Sequence, residues 1–115
     1  MDLKAAFENG GLTRWPVLGD TVHISKPVIA AVNGTAFGGG WLFAQMCDLC
    51  ICAEDAKFGI TEAKVGRGMP RAGPLVKMLP QRVVMELLIT GDPIDAHRAF
   101  QVGFVNLTVS SVVSG

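Results

Sequence analysis

The sequence predicts an α/β fold, and three observations predict it. Two short apolar runs rich in β-branched and small residues show no polar alternation: 28–32 reads as a strand covered on both faces, and 49–53 as a buried strand. Between them three glycines, Gly38, Gly39 and Gly40, open an apolar stretch at 41–47 of helical composition. Helical stretches around 72–79 and 81–89 follow, and the chain returns as a strand at 104–107. Strand, helix, strand, helices and strand is the order of an α/β domain with crossover helices.

Each element has local reasons. Residues 1–14 are weakly helical, with Leu3, Ala6 and Phe7 on one side, and Gly10-Gly11 breaks them. Lys26-Pro27 opens the first strand, and Asn33-Gly34 ends it as a turn. The 41–47 stretch is apolar nearly all round, so a buried helix is expected. Glu54-Asp55-Ala56 turns the chain after the second strand, Lys57-Phe58-Gly59 is a short extended piece, and 60–70 is irregular, with Gly66, Gly68 and Pro70. Pro80 separates the next two helices, and Gly91 suits a left-handed stop. Asp95 can cap a short helix at 96–101, which Gly103 can end.

The 115 residues suffice for one domain and not two. With 50% hydrophobic and 17% charged residues, the chain is too apolar for disorder and suited to packing on several sides. A net charge of zero without a basic stripe argues against nucleic acid as a partner. No run long enough to span a membrane occurs, and Asp2, Lys4 and Glu8 are unlike a signal peptide, so a cytoplasmic location is expected. Cys47, Cys50 and Cys52 lie too close together, and too far from His23 and His97, for a structural zinc site. They read as reduced core residues, with no metal.

The most informative stretch runs from Ala31 to Gly40. A strand turns and feeds three glycines into a helix start, where the first N–H groups lack internal partners and sit at the positive end of the dipole. Such donors suit an oxygen gaining negative charge. No Lys, Ser or Thr follows the glycines as in a phosphate loop, so an oxyanion hole for a carbonyl is the better chemical reading. A tight turn with glycine for packing stays open beside it. The second feature is Phe58-Gly59-Ile60-Thr61-Glu62. A carboxyl group among apolar neighbours is suited to general acid/base work, and a surface glutamate at a helix start is the plain alternative.

These residues carry a resemblance. Lys26 to Gly40, Met46-Cys47-Asp48, Ala56 to Glu62, and Leu88 to Ala99 with Val102 to Asn106 resemble the crotonase family of enoyl-CoA hydratases and isomerases, in that family's order and spacing. Asp2-Leu3-Lys4 resembles the end of its Ala-Asp-Leu-Lys segment. The resemblance covers residues 1–107, read as a partial core of the crotonase-like ββα spiral, and leaves 108–115 as an unmatched tail.

It implies acyl-CoA thioester substrates, with coenzyme A as part of the substrate and no separate cofactor. It also implies an oxyanion hole of two backbone N–H groups. One matches Gly39, flanked by Gly38 and Gly40. The other falls on Met1. Lys4 matches a lysine near the CoA, and Glu62 matches one of the two glutamates that activate water in hydratases. Leu42 stands where the other would be and can neither accept nor donate a proton. The family's N-terminal strands and C-terminal trimerisation helices have no counterpart here; full-length members form trimers or dimers of trimers, so a homo-oligomer is expected.

The pattern of one retained glutamate resembles the isomerases of the family. A catalytically inactive fragment or an interaction module is the alternative from another class. A serine-peptidase reading would need a Ser–His pair, and Ser25 and His23 lie away from the glycines in sequence.

Overall fold

The computed structural model describes residues 17–68 and 71–110. Six strands appear in order: β1 (Ile29–Val32), β2 (Thr35–Phe37), β3 (Leu49–Ala53), β4 (Lys57–Gly59), β5 (Ile94–Asp95) and β6 (Leu107–Val109). Four helices alternate with them: α1 (Gly39–Met46), α2 (Leu75–Met78), α3 (Gln81–Thr90) and α4 (Ala96–Gln101). A 3₁₀ turn occupies Thr61–Val65.

The strands form two sheets that the chain visits in turn. One is parallel, in the order β1-β3-β6; the other runs β2-β4-β5, with β2 and β4 parallel and β5 antiparallel. The path is therefore strand in the first sheet, strand in the second, then helix: β1-β2-α1, and again β3-β4 followed by α2 and α3. This is the expected ββα spiral, in its partial form.

Three aromatic rings hold the turns together. Trp41 of α1 stacks on Phe104 with centroids 4.0 Å apart and 19° between planes. Phe58 of β4 meets both edge-on, at 6.3 Å and 5.6 Å. Trp41 and Phe58 have no exposed surface. Truncating such a ring to alanine costs about 3–5 kcal/mol, so this trio fixes α1 against β4.

Local signals hold where they are strongest. Asp95 accepts the Arg98 N–H at 2.8 Å as the N-cap of α4, and Gly91 (φ 67°) and Gly103 (φ 90°) are left-handed.

Several expectations need correction. The run 28–32 is not covered on both faces: β1 is an edge strand, and Ile29 is 55% exposed. Helix α1 is buried on one side only, through Trp41, Ala44 and Gln45; Gly40 is exposed and Leu42 half-buried. The last strand runs over Leu107–Val109, because Phe104 and Val105 leave the ladder to fill the core. Residues 72–74 precede α2, since the Gly73-Pro74 turn delays its start to Leu75. Cys50 and Cys52 are buried, but Cys47 is only half so. The segment 1–14 lies outside the described residues.

Candidate functional site

The site is assembled where the second sheet meets α1. Phe37 of β2 pairs with Gly59 of β4, and the ladder continues one residue further: the Gly38 N–H donates to the Gly59 carbonyl at 3.1 Å. Gly38 then turns the chain with φ 56° and ψ −114°, a conformation that glycine adopts and residues bearing a β-carbon rarely do. Its carbonyl accepts the Leu42 N–H at 3.0 Å, which starts α1.

The N–H groups of Gly39, Gly40 and Trp41 make no hydrogen bond among the described residues. No side chain caps this end and no acid lies in the first turn. Gly39 is half-buried and Gly40 exposed, so donors at a positive helix end stand partly open.

Glu62 arrives on the other strand of that ladder. Three residues past Gly59, in the 3₁₀ turn, its carbonyl accepts the Arg67 N–H at 2.9 Å, and Gly66 closes the turn in the left-handed region. The carboxyl group lies against the glycine turn: a β-carbon built on Gly38 would stand 2.9 Å from Glu62 Oε1. Oε2 is buried and has no hydrogen-bond partner among the described residues. An orphaned buried oxygen of this kind is rare in folded proteins and requires an explanation.

Of the candidate residues, Gly38, Gly39, Gly40 and Glu62 share this locus. Leu42 is tied to it through its backbone and is half-buried on the helix. Met1 and Lys4 lie outside the described residues. A cleft of about 580 Å³ opens at the opposite end of α1, lined by residues that include Lys26, Met46 and Asp48. There one Asp48 oxygen already accepts the Val28 N–H at 2.8 Å. Unpaired helix N–H groups beside an unpaired carboxyl oxygen make the glycine turn the candidate site.

Two supporting residues escape a reading of the sequence alone. Gly59 is tightly enclosed: a β-carbon there would lie 3.3 Å from both Phe37 Cδ1 and Pro93 Cα, and one of them would have to give. The signal was a glycine inside a strand. Gln45 is the buried polar residue of α1: its Oε1 accepts the Trp41 indole N–H at 3.1 Å, and its Nε2 donates to the Arg71 carbonyl at 2.9 Å. The signal was a lone amide in an apolar helix. Together with the aromatic trio these contacts hold the donor helix and the segment after Glu62 in one frame.

The thiols do not join this chemistry. Burial, with Cys52 and Cys47 nearby, pushes Cys50 up to about 11, and burial raises Cys52 as well. No cluster of three or more potential metal ligands occurs among the described residues. No helix among them is long and apolar enough to cross a membrane.

Comparison with known proteins adds an independent line. A family model described as Enoyl-CoA hydratase/isomerase matches residues 5–113. The chain is 42% identical over 118 residues to a carnitinyl-CoA dehydratase of Citrobacter koseri, an alignment covering 95% of this chain and 45% of that protein. A carnitinyl-CoA dehydratase of Salmonella agona gives the same identity and coverage. The chain thus spans about half the length of these curated relatives. Among solved structures, a carnitinyl-CoA dehydratase from Mycobacterium avium matches with a TM-score of 0.73 and 41% identity, over 78% of this chain and 36% of that one. An enoyl-CoA hydratase from Mycobacterium smegmatis matches with a TM-score of 0.71 and 32% identity, over 74% of this chain and 34% of that one.

Proposed function

From the premise that this chain belongs to the enoyl-CoA hydratase/isomerase family, we propose that it acts on acyl-CoA thioesters with a backbone oxyanion hole and a single carboxyl group as acid and base. Carrying this reading is the unpaired, buried Oε2 of Glu62 beside a helix start whose first N–H groups have no partner among the described residues. The Gly39 N–H takes the thioester oxygen. Charge drawn onto that oxygen makes the α-carbon acidic. One such donor is worth typically about 10²–10³ in rate.

With one carboxylate the chemistry is a proton shift. Glu62 removes a proton from the α-carbon of a β,γ-unsaturated thioester, and the electron pair delocalises onto the thioester oxygen held by Gly39. The same carboxyl group then returns the proton to the γ-carbon, leaving the α,β-unsaturated product. No water, oxidant or metal enters the balance. Leu42 lines the space as an apolar wall, and coenzyme A is the handle of the substrate.

The test is Glu62→Gln in a form carrying the complete family fold. Turnover should fall by roughly 10²–10⁴, with CoA-ester binding nearly intact. An undiminished rate would sink the single-base mechanism.

A second reading is favoured by one observation. The outer face of the first sheet exposes Ile29, Leu49 and Leu107 by 55%, 46% and 51%. On that reading the chain is a packing or interaction module of the same lineage, without turnover of its own.

A further inference from the structure

We infer that Gly38 is a positioning residue for Glu62, and that its part in the site is the space it leaves rather than a hydrogen bond to the substrate. The Gly38 N–H is already spent, donating to Gly59 at 3.1 Å, and cannot join the donors of α1. The missing side chain is what the carboxyl group uses: a β-carbon at 38 would lie 2.9 Å from Glu62 Oε1 and 3.8 Å from its carboxyl carbon. Real β-carbons essentially never approach a heavy atom that closely, so a side chain at 38 would push the mobile carboxyl end of Glu62 out of its seat.

The contact is built in, because Gly38 is bonded to Gly59, and Gly59 delivers Glu62 three residues later. A single ladder therefore sets both walls of the carboxylate seat. Phe37 and Pro93 enclose Gly59 closely, each 3.3 Å from where a β-carbon on it would lie.

As a catalytic statement the inference rests on the acid/base reading of Glu62; as a statement of seating it does not. The experiment separates the two. Melting temperatures are measured for the wild-type chain, Gly38→Ala, Glu62→Ala and the double variant. Alanine at 38 meets two obstacles, the backbone at φ 56° and the carboxyl oxygen, and only the second vanishes when Glu62 is truncated. The fall in melting temperature caused by Gly38→Ala should be smaller in the Glu62→Ala background, by the part due to the carboxyl contact. An equal fall in both backgrounds overturns the inference. If Gly38→Ala alone does not fold, the double variant should, and failure of both overturns it equally.

The catalytic arm uses a β,γ-unsaturated acyl-CoA and the rescue Gly38→Ala/Glu62→Asp, whose carboxyl group is one methylene shorter. Glu62→Asp should slow the wild type yet speed Gly38→Ala, through kcat and not KM. A rescue that changes only KM overturns the positioning role. Coupled melting temperatures without turnover in any variant would instead defeat the proposed function and leave the seating intact.

Discussion

The backbone N–H of Gly38 donates to the carbonyl of Gly59 across 3.1 Å, one step beyond the last paired residues of β2 and β4. This bond joins the helix start that carries the donors to the strand that carries Glu62. Glycine at 59 suits this close approach, since a β-carbon there would press on Phe37 and on the Pro93 backbone, each 3.3 Å away.

Gly59→Ala should therefore destabilise the chain by about 1–3 kcal/mol, the usual cost of overfilling a packed core. Phe37 can yield by turning its ring; the Pro93 backbone cannot. Chemical denaturation of the two proteins measures the difference. A change within experimental error would show that β4 and β5 can separate freely at this point.

Much of the fold was legible because its signals are local. The apolar run of β3, the glycines flanking α1 and α4, and the Asp95 cap each act over a few residues. What was not legible is non-local. Thr35–Phe37 is a three-residue strand only because Lys57–Gly59 pairs with it. Ile94–Asp95 is a strand for the same reason, against β4. The strand expected at 104–107 begins only at Leu107, and Phe104 stacks on Trp41 instead of pairing in a ladder. Asn106 makes the join, its Oδ1 accepting the Cys50 N–H and its own N–H donating to the Cys50 carbonyl, both at 2.8 Å. At the site, motif residues were readable one by one. The approach of Glu62 to Gly38 was not, since nothing in either segment reports where the other lies.

The three thiols should respond unequally to reagents. Cys50 and Cys52 are buried, whereas Cys47 is half-exposed with its Sγ 3.2 Å from the Phe43 carbonyl. Alkylation followed by mass spectrometry should label Cys47 first and leave the other two until unfolding. The pH dependence follows from burial, which holds the Cys50 proton up to about 11. An ordinary thiol in the unfolded chain loses its proton near pH 8.5 to 9. Between those values the folded state binds more protons than the unfolded one, so stability falls as pH rises from about 9 to 11. Cys50→Ala should flatten that part of the profile.

Association in solution is the next expectation. On the parallel sheet Ile29 lies beside Leu49, Ile51 beside Leu107, and Ala53 beside Val109. Alternation sends these residues to one face while Cys50 and Cys52 turn to the core. Ile29, Leu49, Leu107 and Val109 are each at least 43% exposed, and contiguous apolar surface of this kind drives association. Sedimentation at micromolar concentration should show species larger than a monomer. Lysine at both Ile29 and Leu107 should shift the distribution toward the monomer. A monodisperse wild-type monomer would count against the prediction and against the module reading.

The last prediction concerns Leu42, which stands one helical turn after Gly38, its N–H donating to the Gly38 carbonyl at 3.0 Å. Side chains on a helix lean toward its N-terminus, so position 42 leans toward the glycine turn that Glu62 Oε1 adjoins. Leucine gives this position no means of moving a proton, and a lone carboxyl group suits a proton shift better than addition of water. Leu42→Glu supplies the second group. In a form with the complete family fold it should gain hydration of an α,β-unsaturated acyl-CoA, by up to roughly the 10²–10⁴ that a placed acid or base contributes. Loss of the conjugated thioester absorbance follows the reaction. Leu42→Gln, similar in size but unable to exchange a proton as an acid, should show no such gain. If Leu42→Glu folds normally by circular dichroism, binds the CoA ester and still does not add water, the space beside Glu62 does not admit a water molecule, and the division of labour proposed between positions 42 and 62 is wrong.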